Sequence, residues 1–494
     1  MIAIGLILSV ALPLLAGLPW VLMMLRDRSV GTTPLALAYG YVLGMLVAVY
    51  WMRVLDAIHV PANIGSIAAI LVVVAIAGWW KNRWYPAALR VAASGSIATW
   101  RSMPRSTRFV FAIVFALIAV RLLTLGSEIL FRPIFPWEAV SAVAAKARVW
   151  FDLGSIAPFV SAQEYLNGTG VYTDADSGAF ALPSLLLAYT AHMMMQWHEG
   201  AVAFPWWMFG LALVVAIYGH LRRAGAGVAF ALTFAYVFVS LPLVDLHIGL
   251  AGAPQWIAAT GVGLAGCAML RWLAVNERAW LWLVGVGVVL AASTLASTWP
   301  WLAVFAAAAA IAHLPRHARK IAIGLPLLVL VALLAWQQTP INLGGKPLQL
   351  QLVPTWSETV ESLFLLGNWH LLYGAAILVA FAGWRTILGE RWFARTWLIA
   401  MGVGVLFVWG VASVPGVWFG GLRDFSYAAL QFAPMLVMWM ALVARAISVR
   451  EPQAAIDVPV AAPVAAPVAA PVSAPANALV ASSDSAPSSP GLKV

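Results

Sequence analysis

One carboxylate and several basic residues are the side chains best suited to chemistry. Glu138 stands eight residues before Lys146, about two turns of an α-helix, so both could lie on one helix face. A carboxylate within hydrogen-bond reach of a hydroxyl can take its proton as a new bond forms. Nearby cations can stabilise the negative charge of a departing phosphate. Glu138 is therefore the candidate general base, and the candidate phosphate contacts are Arg132, Lys146, Arg148, Lys346 and Arg423.

Two further polar pairs stand in short stretches beside apolar runs. Asp245 and His247 follow Pro242, and Arg423 directly precedes Asp424. We include all four among the candidate substrate-binding residues. Other interpretations stay open, because Asp245 and His247 could be an acid pair that supports the site residues from behind, a metal ligand set or a hydrogen-bonded turn. Arg423 and Asp424 could equally form an ion pair within a loop. A single Asp-x-His is too little to predict a metal, so no metal site is predicted.

Each residue also has a purely structural interpretation. Glu138 could be a solvated acid that favours the positive end of a helix dipole. Lys146 and Arg148 could extend to phospholipid headgroups at the membrane surface. Arg121 lies inside an apolar run, where an unpaired charge would be costly, so we expect Glu128 or another acid to meet it.

The elements that must position these side chains are membrane helices. Of the 494 residues, 63% are hydrophobic and only 9% are charged, which excludes a soluble globular domain of this length. A spanning helix needs about 20 mostly apolar residues. We predict an all-α, polytopic transmembrane helix bundle of about thirteen spans, near residues 2–25, 34–52, 62–80, 109–125, 201–220, 227–244, 249–270, 280–297, 299–312, 321–337, 363–384, 397–414 and 427–446.

The distribution of Lys and Arg predicts the orientation, because basic residues next to spans are retained in the cytoplasm. With a periplasmic N-terminus, 21 of the 28 basic residues fall in cytoplasmic segments, whereas 12 of the 18 acidic residues fall outside or at adjoining span ends. We therefore predict a multi-pass protein of the bacterial inner membrane with a cytoplasmic C-terminal tail. The net charge of +10 is then a signal of topology rather than of nucleic-acid binding.

One apolar run would contradict this orientation if it crossed the membrane. Residues 180–195 are few for a span, and a crossing there would move Arg222 and Arg223 to the periplasm. We predict that this run lies in or dips into the outer leaflet.

The chain divides into three regions by composition. The first holds N-terminal spans and a basic loop, and the second is a membrane core that includes an outer loop. The third is rich in Ala, Pro and Val and has too few large side chains to form a core, so we predict a disordered tail. Their bounds are 1–108, 109–446 with the outer loop at 126–200, and 447–494.

The outer loop carries a family resemblance. It contains Phe-Pro-Trp-Glu-Ala at 135–139, Lys-Ala-Arg-Val-Trp-Phe at 146–151 and Pro-Phe-Val at 158–160. These runs resemble the first outer loop of bacterial membrane glycosyltransferases of the GT-C fold, which are related to protein mannosyltransferases and the aminoarabinose transferase. Later matches, Gly-Asn-Trp-His at 367–370 and Leu-Gln-Phe-Ala-Pro at 430–434, extend the resemblance over roughly residues 109–446.

The resemblance implies a transferase that takes a sugar from a polyprenyl-phosphate carrier in the outer half of the membrane. The acceptor would be an envelope lipid, glycan or protein. It also implies a GT-C-like bundle with a periplasmic juxtamembrane loop and no cofactor. The expected partners are membrane lipid, the lipid-linked sugar donor and the acceptor, and no nucleic acid. The sequence has no Gly-x-x-x-x-Gly-Lys loop, which argues against direct use of ATP or a nucleotide-sugar.

Several positions depart from the family pattern. Glu138 replaces the usual Asp, Ser-Thr-Trp-Pro at 297–300 stands where many relatives carry Lys-x-Glu-Gly, and Tyr427 stands where an Arg is common. Two alternatives to an active enzyme therefore stay open. One is a non-catalytic relative that binds lipid-linked glycans or scaffolds envelope assembly. The other is a transporter or flippase, for which internal repeats would be expected and none is evident in the sequence.

Overall fold

The computed structural model describes a mostly helical protein with a few very short strands, as the all-α prediction requires. The predicted tail beyond Arg450 and most of the basic loop before Met103 lie outside the described residues. Those described are 2–26, 30–82, 103–176, 178, 180–314, 316–339, 341–343, 346–348, 351–352, 356–413 and 421–450.

The helices are numbered here in chain order. They are α1 (Ile2–Leu25), α2 (Thr32–Ala57), α3 (Ile64–Lys81), α4 (Arg105–Phe131), α5 (Ala145–Leu153), α6 (Ala162–Leu166), α7 (Leu182–Met194), α8 (Phe204–Arg223), α9 (Val228–Val239), α10 (Pro242–Gly249), α11 (Pro254–Val275), α12 (Arg278–Ala292), α13 (Trp299–His313), α14 (Ala318–Gln338), α15 (Trp356–Val360), α16 (Leu372–Ala382), α17 (Trp384–Ile387), α18 (Phe393–Val411) and α19 (Gly421–Arg450).

Short irregular helices and strand pairs complete the described part. The π-helical turns are Ala139–Ala144 and Glu361–Leu365, and the 3-10 turns are Ala201–Ala203, Ala296–Thr298 and Glu390–Trp392. Strand β1 (Phe159–Val160) pairs in parallel with β2 (Tyr172–Thr173). The antiparallel pairs are β3 (Ile341–Leu343) with β4 (Lys346–Leu348) and β5 (Gln351–Leu352) with β6 (Ala412–Ser413).

Ten helices of the described part are long and apolar enough to cross a membrane, and they match ten of the thirteen predicted spans. The predicted span at 227–244 is instead the pair α9 and α10, bent by 65° just before Pro242. The predicted spans at 280–297 and 363–384 correspond to α12 and α16, of 15 and 11 residues, which are short for a crossing. By length and composition, ten helices of the described part could cross a membrane, or eleven if the bent pair is one span, and the count of about thirteen stays a prediction.

The centre of the bundle consists of α2, α8, α11 and α19. Every residue of α11 from Gln255 to Leu270 is buried, and so is every residue of α19 from Ala428 to Val443. By contrast, α14 buries only Ala318. An apolar helix that leaves most of its surface exposed in this way faces lipid along much of its length.

Close backbone contact joins α1 to α2. A β-carbon at Gly17 would overlap the Gly40 carbonyl, and one at Gly44 would overlap the Pro13 carbonyl. Gly40 and Gly44 are four residues apart, the small-xxx-small spacing that lets membrane helices approach closely. These glycines allow the first two spans to pack as one unit.

The apolar run at 180–195 forms α7, which is too short to cross. Its 13 residues rise about 20 Å, against about 30 Å for the hydrocarbon core. The surroundings of α7 are other helices of the protein. Every residue of α7 is buried, Met194 packs on Gly5, and the Tyr189 hydroxyl donates to the Ser9 carbonyl (3.2 Å). Protein therefore encloses α7, because its apolar faces pack on α1, α2 and α5, and its position in the outer leaflet stays a prediction.

The predicted orientation generates a labelling test. Tyr165 is exposed in the outer loop, Arg319 is exposed at the start of α14, and the single native cysteine, Cys267, is fully buried. A membrane-impermeant maleimide should label Tyr165→Cys in intact cells, and it should label Arg319→Cys only after the membrane is opened. The reverse pattern would show that the predicted topology is inverted.

Candidate functional site

The outer loop is built around a helix that begins with a π-helical turn. Residues 139–144 form that turn and continue directly into α5. π-Helical turns are rare in proteins, and those that occur are often found at functional sites. Gly154 ends α5 with φ 65°, and its carbonyl accepts a hydrogen bond from Ala62 N (2.7 Å). Asp56 accepts another from Ile156 N (2.8 Å). The end of α2 and the segment that follows it thus anchor the end of α5.

Glu138 is exposed immediately before the π-helical turn. Its Oε2 accepts a long hydrogen bond from Gln255 Nε2 (3.4 Å) at the start of α11. The adjacent Ala139 is buried against Gly252, whose φ of 93° favours glycine. The carboxylate is therefore accessible from outside and oriented by a second element, as a general base requires.

Lys146 does not share the exposed face of Glu138. Its side chain is only 4% exposed, and Nζ lies 3.0 Å from Oδ2 of Asp174, whose side chain is fully buried. Nζ also donates to the Asp176 carbonyl (2.6 Å). This corrects the expectation that Lys146 and Glu138 lie together on one face, because the segment that includes β2 returns against α5 and takes the lysine. Lys146 thus holds the outer loop together and is not available to a ligand.

The other two candidate phosphate contacts of the outer loop are on the surface. Arg148 Nε lies 3.0 Å from Oδ2 of Asp152, and both side chains are about half exposed. Arg132 pairs in the same i,i+4 manner with Glu128 (2.6 Å). Exposed pairs of this kind contribute about 0.2–1 kcal/mol. Either guanidinium can therefore exchange its carboxylate for another anion at little cost.

Asp245 and His247 lie on α10 but contact different partners. Oδ1 of Asp245 is 2.9 Å from Nε of Arg121 on α4, which confirms that an acid meets this charge. His247 Nδ1 donates to the Leu243 carbonyl (2.8 Å), and its ring stands edge-on to Tyr427, with ring centroids 5.7 Å apart. The His247 ring is thus held by a carbonyl of its own helix, one turn earlier in the chain. Across the part of the chain that the structure describes, no three His, Cys, Asp or Glu side chains gather as a metal site.

The remaining candidates have side chains outside the described part of the structure. Arg423 and Asp424 lie in the first turn of α19, and Lys346 lies in β4. The expectation that Arg423 or Lys346 contacts a phosphate therefore stays a prediction, and so does the expectation for Asp424.

Sequence reasoning missed two residues that organise this site, Gln255 and Asp174. The available signal for Gln255 was a polar side chain directly after Pro254 in the first turn of a span, where polar residues are rare. Asp174 is one of several acids in the outer loop, and it lies far from Lys146 along the chain. Neither the residue type of Asp174 nor its distance from Lys146 along the chain indicates that the two side chains pair.

Comparison with protein-family models, characterised proteins and solved structures finds no match to this chain in any of the three. The site is therefore interpreted from its own residues. It combines an exposed carboxylate, oriented by an amide, with two exchangeable guanidiniums in the same loop. This set of groups can take a proton from a hydroxyl and can hold an anionic group.

Breaking the buried Lys146 and Asp174 pair should be far more damaging than breaking an exposed one. Lys146→Met leaves a buried carboxylate without its cation, which typically costs about 3–5 kcal/mol of unfolding free energy. The matched control, Arg148→Met, breaks an exposed pair and should cost less than about 1 kcal/mol. Adding Asp174→Leu to Lys146→Met should recover part of the loss.

Unfolding of the detergent-purified variants by heat or denaturant measures these differences. Equal losses of stability in Lys146→Met and Arg148→Met would contradict the buried pair. No recovery in the double variant would show that the lysine acts through packing rather than through charge.

Proposed function

We propose that this protein is a membrane glycosyltransferase. It moves a sugar from a polyprenyl-phosphate donor to an envelope lipid, glycan or protein acceptor on the periplasmic face. The observation that carries the proposal is Glu138, which is exposed, is oriented by Gln255 and belongs to the run at 135–139 that resembles the GT-C outer loop. A helical membrane architecture supports it, because a polyprenyl donor is confined to the bilayer.

Glu138 acts as the general base in this proposal. It takes the proton of the acceptor hydroxyl while that oxygen bonds to the anomeric carbon of the donor sugar. The bond between this carbon and the phosphate oxygen breaks, and the polyprenyl phosphate leaves with the bonding electron pair. The Nε2 group of Gln255 donates a hydrogen bond to Oε2 of Glu138, and this bond keeps the carboxylate in place for the step.

The departing phosphate needs cations, and Lys146 is unavailable because it is buried with Asp174. Arg132 and Arg148 take this role. The Arg132 guanidinium carbon lies 3.7 Å from the centroid of the Phe135 ring, and that of Arg148 lies 5.4 Å from a ring of Trp197. Aromatic contact restricts a guanidinium while its N–H edge remains able to bind an anion.

One observation favours a second candidate function, a non-catalytic protein that binds lipid-linked glycans or scaffolds envelope assembly. Each described basic side chain of this site already faces a carboxylate, which leaves little positive charge for a departing phosphate. The pairs are Arg121 with Asp245, Arg132 with Glu128, Lys146 with Asp174 and Arg148 with Asp152.

Replacing Glu138 separates the two functions. Glu138→Gln keeps the size of the side chain but cannot accept a proton, so we expect turnover to fall about 100-fold or more while the protein still inserts. Glu138→Asp should keep partial activity because it retains the carboxylate. Glu164→Gln is the matched control, since Glu164 is an exposed acid of the same loop that caps α6 through Ser161.

Two readouts measure this prediction: envelope glycans analysed by mass spectrometry, and complementation of a gene deletion. The enzyme proposal requires that Glu138→Gln fails and that Glu164→Gln succeeds. If Glu138→Gln complements fully while the deletion strain does not grow normally, the enzyme proposal is contradicted and the non-catalytic binding protein is favoured.

A further inference from the structure

A long apolar cavity lies among the last helices of the bundle. It has a volume of about 340 Å³, and α16, α18 and α19 form its walls together with the stretch at 359–364. None of its described lining residues is charged. One end of the cavity is at Phe425, because a β-carbon at Gly410 would lie 3.6 Å from Cδ2 of that ring. Toward the other end, Ile399 of α18 and Ala380 of α16 line it.

The cavity follows one face of α19. Its lining residues on that helix are Phe425, Phe432, Leu436 and Trp439, which repeat at helical spacing. From Phe425 to Trp439, α19 rises about 21 Å, whereas one leaflet contributes about 15 Å to the hydrocarbon core of a bilayer. The cavity is therefore long enough for one lipid chain that reaches from the membrane surface to the middle of the bilayer.

The cavity has a buried floor and an exposed apolar rim. Phe432 is 0% exposed and Leu436 is 3% exposed, and the Phe432 ring packs against Gly402 of α18. On the rim, Ile377 of α16 is 60% exposed and Val403 of α18 is 52% exposed. Exposed apolar side chains on membrane helices face lipid. A lipid chain can thus enter this cavity from the side, without passing through the protein.

The Phe425 end of the cavity is at the same end of the bundle as Glu138. The ring of Tyr427, two residues further along α19, contacts the His247 ring on α10. The chain continues from α10 into the start of α11, where Gln255 contacts Glu138. The cavity covers the first part of the candidate span in α19 and the last part of the one in α18. With the predicted orientation, these are the parts of both spans that lie in the outer leaflet.

Three polar side chains interrupt the apolar lining: Thr359, Tyr373 and Trp439. A β-carbon at Gly410 would sit 3.0 Å from Oγ1 of Thr359, which places this hydroxyl at the Phe425 end. Tyr373, in the first turn of α16, is 8% exposed, and Trp439 is 4% exposed. The polar atoms of all three are buried and meet no hydrogen-bond partner within the described structure. A ligand with acceptor oxygens would recover the free energy that such burial costs.

We propose that this cavity binds one acyl chain of an outer-leaflet phospholipid. The chain lies along the apolar lining, and the ester carbonyl oxygens at its head accept hydrogen bonds from the hydroxyls of Thr359 and Tyr373. An ester carbonyl is uncharged, accepts hydrogen bonds and stands directly above the hydrocarbon chain, which matches an uncharged lining that carries hydroxyl donors. The phosphate stays at the membrane surface, and the chain ends toward Trp439. The site is independent of the proposed transfer reaction, because binding of a phospholipid requires no turnover at Glu138.

Native mass spectrometry of the purified full-length protein tests this site. The probes are a diacyl phosphatidylethanolamine and its diether analogue, which has the same chains and headgroup but lacks the ester carbonyls. Wild-type protein should retain the diacyl lipid about ten-fold more strongly or better, as expected for hydrogen bonds to buried donors. Tyr373→Phe should lower retention of the diacyl lipid about ten-fold and leave retention of the diether lipid unchanged.

A second variant tests the position of the chain. Ala380→Phe fills part of the cavity and should lower retention of both lipids about ten-fold or more. Ala332→Phe is the matched control, because Ala332 is exposed on α14, and it should retain both lipids. Thermal unfolding in lipid-free detergent checks that the variants fold. Tyr373→Phe should unfold as wild type does, since its hydroxyl has no hydrogen-bond partner among the described residues.

Several outcomes would overturn the proposal. Equal retention of the diacyl and diether lipids by wild-type protein would exclude the hydrogen-bonded ester. Equal losses in Ala380→Phe and Ala332→Phe would place the lipid elsewhere on the surface. Displacement of the diacyl lipid by added polyprenyl phosphate would assign the cavity to the chain of that carrier instead. Glu138→Gln should retain the phospholipid as wild type does, so failure of the transferase proposal leaves this test unaffected.

Discussion

The buried ion pair between Lys146 and Asp174 is the interaction on which the arrangement of the outer loop depends. The pair joins α5 to the segment that contains β2. The ring centroid of Phe159, in β1, lies 5.8 Å from Nζ of Lys146. With α5 held in this way, Phe151 reaches His192 on the enclosed helix α7, with ring centroids 5.1 Å apart. One pair of opposite charges therefore connects the π-helical turn, the parallel strands and α7. Glu138, at the start of the same helical stretch, remains outside.

Basic side chains have different neighbours at the two ends of the bundle, which α11 connects. At the end that holds Gln255, basic side chains face carboxylates, and the exposed pairs there exchange partners easily. At the end that holds Arg271, the guanidiniums of Arg223 and Arg271 lie against the same indole ring, that of Trp280.

Hydropathy predicted the ten long helices because a span is a local property of about 20 consecutive residues. It did not locate the ends of helices: a bend separates α9 from α10 just before Pro242, and α12 and α16 end within apolar runs. Apolar composition does not reveal where a helix ends. The site shows the same limit. Glu138 could be chosen as a candidate from its residue type and position, whereas Gln255 and Asp174 contact residues that are distant from them in the sequence. The spacing of residues along one helix can be read from the sequence, but the segment that packs against that helix cannot.

The central claim is that the outer loop folds around a buried lysine, which leaves Glu138 as the accessible reactive group. Amine-reactive footprinting of the folded protein, read by mass spectrometry, tests this most directly because it compares lysines within one molecule. Lys146 is almost fully buried, whereas Lys81 and Lys320 are exposed. The account predicts that Lys81 and Lys320 react while Lys146 stays unmodified until the protein is unfolded. Modification of Lys146 in the folded protein at the rate of Lys320 would contradict it.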